Sequence, residues 1–451
     1  MGLRCLQFAV LVVLAALPAC FGSRSTRAAQ SAVSATQVPA AAQPVRTILV
    51  FPFENASRDP SLEWLSEGLA ELTTERLQGP RRFVLSREDR LEAIEKMGIP
   101  ATANLSRATM ITLGEQADAD DVVFGRFTSD GKTISLTASV LHLAPPSLSP
   151  SFAAAGAAAD LLAAHLRLAS SLLCAISPET CSAGAPPAEF FAAGNPPSHM
   201  DAFRSYVRGL EDSSEEDRIA DLREAARLET DWDAAAFELG VSYYKQHDCE
   251  LALVWFSRVP PDRPHGAEAG FDAGVCHLQG HDPARAQSAF EAVLQQPRPG
   301  SEMPPDSPEA RNNLGVALAE QGKYADAVAQ FDKAAQVSAS TANFWFNLGV
   351  AQFLVGRAPD ALASLKRAAD LVPQDSGIRD AMEQINKAGA NGTGRGPTPA
   401  SLVPLLRISE KFDRSWLRPS AESAALCEPS ERRNLYVNAS VQVEIRTGER
   451  R

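Results

Sequence analysis

The sequence predicts an α/β domain followed by an all-α solenoid of helix–turn–helix units, and three observations predict it. Between residues 45 and 143, β-branched and aromatic runs alternate with stretches of helical spacing, the pattern of a small sheet covered by helices. From residue 199 the chain reads as successive helical pairs. Within those pairs Gly315 and Gly349 stand 34 residues apart, as do Ala327 and Ala361, so one unit is repeated.

The chain has 451 residues, room for two or three domains, and at 45% hydrophobic and 22% charged it is globular in composition. A net charge of −12 leaves no basic stripe for phosphates and argues against nucleic acid as a partner. Residues 1–20 read as an export signal: Arg4 supplies the positive start, and Cys5–Leu17 is an apolar run too short to span a bilayer comfortably. Leu17-Pro18-Ala19-Cys20 resembles the bacterial lipobox, which makes Cys20 a candidate for lipidation; plain secretion and a retained anchor are the alternatives. A lipid there would be the chain's one membrane attachment, because no later stretch reads as long and apolar enough to cross. Residues 21–44, mainly Ala, Ser, Gln, Thr and Pro, cannot build a core and read as a flexible tether.

In residues 45–176 the expected order is β-α-β-α-α-β-β and a closing helix. Val45–Phe53 is a strand, Leu62–Leu77 a helix with Leu65, Leu69 and Leu72 on one face, and Phe83–Leu85 a strand. Glu88–Met97 and Ser106–Gln116 are helices, the second capped by Ser106. Val122–Phe127 and Thr133–His142 form a hairpin across Ser129-Asp130-Gly131, and Ala153–Ile176 is a helix. The Phe51-Pro52-Phe53-Glu54-Asn55 opening with Ser57 and Asp59, the Trp64–Gly68 spacing, Val84-Leu85-Ser86-Arg87 and Asp121–Gly125 resemble the amino-terminal envelope domain of TolB and its relatives FlgO and CsgG. That resemblance implies assembly or protein contact at a bacterial envelope, and self-association. Phe53–Asn55 is then a contact loop; alternatively Asn55 and Ser57 only turn the chain into the helix.

Residues 177–198, rich in Pro, Ala and Gly, read as a linker. Cys174 and Cys181 flank Ser177-Pro178 and are a candidate disulfide; Cys249 and Cys276, in neighbouring units, are a second pair that could meet. About five units fill 199–389. The first is degenerate; the next carry Leu239, Gly240, Ala252 and Phe256, then Gly274, Ala286 and Phe290, then Leu314, Gly315, Ala327 and Phe331, then Leu348, Gly349, Ala361 and Pro373. This pattern resembles the tetratricopeptide repeat (TPR): small residues let two antiparallel helices approach, and large ones fill the gap. Residues 377–389 read as a capping helix, and 390–451 as a flexible tail with one short helix over Ile408–Leu417.

By resemblance to TPR geometry the first helix of each pair lines a concave groove. One helix face there reads Phe237, Phe271, Asn312 and Phe346, then Val241 with its equivalents four residues on, then Tyr244, Leu278 and Phe353, with Asn343 and Asn347 beside them. Such a face suits a protein or peptide partner anchored by aromatics. The competing reading packs the same residues against the neighbouring repeat. The basic clamp that holds acidic C-terminal tails is missing.

No metal or cofactor is expected. His247, Cys249, Cys276, His277 and His281 fall close together, but without CxxC or HExxH. GxSxG, the P-loop lysine motif and a strand-linked GxGxxG are absent, so catalysis is not expected. The expected function is a non-enzymatic envelope scaffold, lodged in the periplasm or at the outer membrane. The alternatives are an accessory subunit of a secretion or assembly machine acting through residues 45–176, and a small-ligand sensor.

Overall fold

Strand β1 (Arg46–Val50) sits between two neighbours and is covered on both faces, which is why it is an unbroken apolar run. Ile48 and Val50 pack to one side of the sheet and Leu49 and Phe51 to the other. In this computed structural model the described residues are 45–417, apart from 58, 80, 101–104, 183, 185, 187–190, 192–196, 297–305 and 392–396. The export signal, the tether, Cys20 and residues 418–451 lie outside them.

The sheet runs β3 (Arg82–Val84), β1, β4 (Asp121–Ser129), β5 (Thr133–Leu143), β6 (Pro146–Leu148). β1 is parallel to both neighbours, with Thr47 opposite Phe83 and Leu49 opposite Val122. β4 and β5 are antiparallel, joined where the Asp130 carboxylate accepts from the Lys132 and Thr133 amides and Gly131 takes φ +82°. The short β2 (Glu54–Asn55) adds beside β4. Asn55 Nδ2 donates to the Asp59 carbonyl and Ser57 donates to Asn55 Oδ1, so this polar stretch turns the chain toward α1 (Trp64–Leu77). Helices α1 and α4 (Leu161–Ile176) cover one face. Helices α2 (Arg87–Lys96) and α3 (Arg107–Gln116) cover the other, each opened by a serine cap, Ser86 and Ser106.

Two sequence expectations fail here. Ala153–Ile176 is not one helix: Phe152–Ala157 is strand β7, paired antiparallel with β5 from Ala138↔Phe152 to Thr133↔Ala157. Its alanines favour helix in isolation, but the open edge of β5 offers a full ladder and tertiary pairing overrides propensity. Nor is the chain beyond the export signal free of membrane-length helix, since Ala158–Ile176 passes by length and composition. The reason is its core role, for Leu161, Ala164, Leu168, Leu172 and Leu173 are buried against the sheet.

The helical pairs are α5 (Met200–Glu211) with α6 (Glu215–Leu228), α7 (Asp233–Lys245) with α8 (Cys249–Phe256), and α9 (Gly266–Gln279) with α10 (Pro283–Gln295). Then come α11 (Pro308–Glu320) with α12 (Tyr324–Val337), α13 (Ala342–Leu354) with α14 (Ala358–Leu371), and the closing α15 (Ser376–Asn391). Each pair locks through a glycine facing a large side chain: a Cβ on Gly240, Gly274 or Gly315 would come within 2.4–2.6 Å of the rings of Phe256, Phe290 and Phe331, and on Gly349 within 2.7 Å of Leu365. The turn inside each of the last four pairs carries one left-handed residue, at His247, His281, Gly322 and Gly356. The described residues form one compact unit, with Trp64 of α1 edge-on to Phe203 of α5 at 5.7 Å and Leu72 buried in the same cluster as Tyr206 and Val207.

The largest departure from expectation lies after the repeats. Residues 397–417 are not a free tail. Helix α16 (Pro399–Leu402), a 3₁₀ turn to Leu405, an extended run from Leu406 to Asp413 and a second 3₁₀ turn (Arg414–Leu417) pack onto the solenoid, with Leu402, Phe412 and Leu417 buried.

Candidate functional site

The extended run lies along the first helices of the repeats, and asparagines hold its main chain. Asn347 on α13 accepts from the Arg407 amide (2.9 Å) and donates to the Arg407 carbonyl (2.8 Å). Asn313 on α11 does the same for Ser409, accepting from its amide (2.7 Å) and donating to its carbonyl (2.8 Å). Asn312 adds a donor to the Arg407 carbonyl (2.8 Å) and accepts from Asn347. All three asparagines are fully buried with the segment in place. An amide side chain presents one acceptor and donors, so it pairs with an extended strand as another strand would.

Side chains of the segment are read at both ends. The Arg407 guanidinium meets Asp375 (2.7 and 3.2 Å) and Asn343 (2.9 Å), and lies 4.2 Å from the centre of the Phe346 ring. Phe412 packs on Phe271, 5.3 Å between centres, and the Tyr244 hydroxyl donates to the Glu410 carbonyl (3.3 Å). Arg414 bridges Glu268 on α9 (2.6 Å) and Asp89 on α2 (3.5 Å). The segment is thus clasped between the solenoid and the helices under the sheet, and one apolar cluster runs from Ala93 and Ile94 through Phe412 to Phe271 and Leu314.

The structure brings Asn312, Asn343, Phe346, Asn347, Phe271 and Tyr244 together around this segment. Other members of the expected groove sit elsewhere. Phe237 stacks on His265 at 4.4 Å and packs against Phe256 within its own pair; Val241 and Leu278 pack inside the solenoid; Phe353 packs against the α13–α15 cluster. Sequence reading missed Asn313, Glu268, Asp375 and Asp89. Asn313 follows Asn312 directly, and that buried amide pair was the available signal.

Buried ionisable groups surround the Arg414 end. Burial, then repulsion from Asp233, pushes the Glu75 carboxyl up to about 8, and burial beside Glu268 pushes Asp272 up to about 8. Burial likewise lifts Glu238 to about 7. Burial would raise Glu268 too, but Arg414 and His265 overcome it and hold the carboxyl at about 2. His265 is itself raised: burial opposes its charge, and the Glu268 carboxylate more than compensates. Cys249 and Cys276 form a disulfide linking α8 to α9, and Cys174 and Cys181 form another between the last turn of α4 and the 3₁₀ turn that follows it. His247 and His281 sit at inter-helix turns, and no group of three or more metal-ligating side chains occurs among the described residues.

Fold and site define a helical-repeat solenoid whose first helices hold an extended stretch of chain. Residues 271–341 and 320–376 match the family model described as tetratricopeptide repeat, and the chain carries such repeats there. Among solved structures it is similar to YrrB, described as a TPR protein with an unusual peptide-binding site (20% identity, 41% of this chain and 92% of that one, TM-score 0.37). It is also similar to MamA from Desulfovibrio magneticus RS-1 (20% identity, 40% and 99%, TM-score 0.35) and to the first TPR of Spaghetti (RPAP3) bound to an HSP90 peptide (18%, 28% and 96%, TM-score 0.25). No curated protein matches. The resemblance of residues 45–176 to the TolB, FlgO and CsgG domain gains no support from these matches.

Proposed function

We propose that this protein is a non-enzymatic scaffold whose concave face binds an extended segment of a protein partner. One observation carries the reading: Asn312, Asn313 and Asn347 hydrogen-bond the main chain of residues 407–409 on both its donor and acceptor sides, so the face is built to hold extended backbone. Tetratricopeptide repeats are in general protein-interaction modules, which agrees with it. Nothing in the site points to chemistry on a substrate. The test is capture of a partner, by crosslinking in the host, with the full chain and with Asn312→Ala/Asn347→Ala. Loss of the partner in the variant with the fold retained supports the reading; undiminished capture overturns it.

The proposal extends to location: an exported protein, tethered at a bacterial envelope through Cys20. The observation behind it is the apolar run ending in Leu17-Pro18-Ala19-Cys20. Intact mass and membrane fractionation beside a Cys20→Ala variant test it, and a soluble wild-type chain without a lipid increment defeats it. Action as an accessory subunit through residues 45–176 has no structural observation of its own.

A further inference from the structure

The groove's own occupant shows what else the groove can read. Main-chain bonds from Asn313 and Asn347 accept any sequence, so selectivity must come from the positions whose side chains are met. Apart from the apolar contacts of Leu406, Ile408 and Leu417, those are a cation at 407, facing Asp375 and the Phe346 ring; an aromatic at 412, facing Phe271; and a cation at 414, facing Glu268 and Asp89. The receptor side therefore offers carboxylates at both ends and an aromatic floor between them. An acidic peptide is repelled there, whereas a cationic, aromatic one fits.

The choice of asparagine is informative. A surface meant only to be covered permanently is cheaper to build from apolar side chains, because each buried amide must find partners for donors and acceptor alike. Asn312, Asn313 and Asn347 bond one another and the main chain of the segment, and water can take the main chain's place at these amides when it leaves. The Arg407–Asp375 pair at the other end keeps about a quarter of both side chains exposed (24% and 23%), open to competition.

We propose that the concave face is a receptor for protein segments that present a cation, an aromatic five residues later and a second cation two residues beyond that, and that residues 406–417 are its resident competitor, displaced when such a segment arrives. This rests on the scaffold reading above and names the partner's chemistry. A tethered competitor lowers apparent affinity by the fraction of time the groove is free, so releasing it should strengthen binding without altering the groove.

The probe is a fluorescent synthetic peptide of residues 404–417, titrated by anisotropy into full-length chains. Phe412→Ala/Arg414→Ala, made in the chain and not in the peptide, should bind it at least tenfold more tightly than wild type. A peptide carrying Arg407→Glu and Arg414→Glu should bind the released chain at least tenfold more weakly, and adding Asn312→Ala/Asn347→Ala to that chain should remove binding. If the double variant loses its native far-UV spectrum, Arg407→Glu releases the same segment and the same comparison applies. Equal binding of the peptide to wild-type and released chains overturns the proposal. So does a scrambled peptide binding as well as the native one, which leaves the groove reading standing while discarding the register. A wild-type chain that runs as a dimer, becoming monomeric in the released variant, reassigns the occupant to a second copy and also overturns it. Failure of the scaffold reading looks different: partner capture in the host that is indifferent to Asn312 and Asn347.

Discussion

At Gly315 two opposing effects can be weighed on one side chain. Replacing a helical glycine by alanine gains roughly 1 kcal/mol of propensity. Here the added Cβ would lie 2.6 Å from the Phe331 ring, closer than real contacts allow, and Phe331 is fully buried with nowhere to move. Overpacking of this kind costs about 1–3 kcal/mol beyond the propensity gain, so Gly315→Ala is expected to lower the urea midpoint. Gly322→Ala adds a Cβ in open space but at φ +76°, and destabilises through backbone strain instead, by about 1 kcal/mol. These glycine–phenylalanine pairs were legible in the sequence because both partners recur at a fixed interval inside one unit. Phe271 shows the limit of such reading. Its position in the pattern fits both a groove face and packing between repeats, and it is fully buried, edge-on to Phe290 and beneath Phe412. A polar substitution there is expected to cost about 3–5 kcal/mol, which makes Asn347 the cleaner probe of binding.

The seam between α1, α7 and α9 carries a pH dependence whose sign can be worked out. Glu75, Glu238 and Asp272 have folded pKa values raised to about 8, 7 and 8, so the folded state holds their protons more tightly than the unfolded chain. Their contribution is fully present below the unfolded carboxyl range and is lost as pH rises through about 7 to 8. His265, also raised, loses its contribution in the same direction. Glu268, held at about 2, acts oppositely: its contribution is present above the unfolded carboxyl range and disappears as pH falls toward 2. Thermal melts should therefore peak in the unfolded carboxyl range, near about pH 4 to 5, and decline as pH rises to about 8, and Glu75→Gln/Asp272→Asn should flatten that decline. A decline unchanged in that variant would remove these carboxyls from the account. None of this was legible beforehand, since glutamates on a helix read as a solvated face until a second layer is known to cover them. Strand β7 escaped for a related reason: an alanine-rich run has no pattern of its own, and the β5 edge decides its conformation.

Across the whole molecule, the solenoid and the α/β layers are joined by groups far apart in sequence, and Arg414 concentrates that coupling. Its guanidinium meets Glu268, 146 residues earlier, and Asp89 on the far side of the clasp, with only 14% of its side chain exposed. Period and composition could not announce such a pairing, because one arginine in a charged stretch resembles any other. Its removal is informative because it takes a cation from two largely buried carboxylates, leaving Glu268 with His265 alone and Asp89 with its bonds to Ser86. Truncating one partner of a buried ion pair costs about 3–5 kcal/mol, mostly the penalty of the charge left behind. Arg414→Ala should thus destabilise by that order at neutral pH. It should also raise the Glu268 carboxyl from its low value, so that the loss shrinks as the solution is made acid and Glu268 takes a proton. Arg414→Ala/Glu268→Gln removes both charges of that pair and should recover much of the loss. The Cys249–Cys276 disulfide, 27 residues apart and adjoining the same seam, offers the control: opening it is expected to cost about 3 kcal/mol through chain entropy, with no dependence on the state of Glu268. Paired melts of these variants at two pH values separate the cases. A pH-independent loss for Arg414→Ala would mean that its methylenes, packed in the clasp, matter and its charge does not. A loss that vanishes in acid would mean that the charge holds the segment, and that a cation arriving on a partner has a prepared place to go.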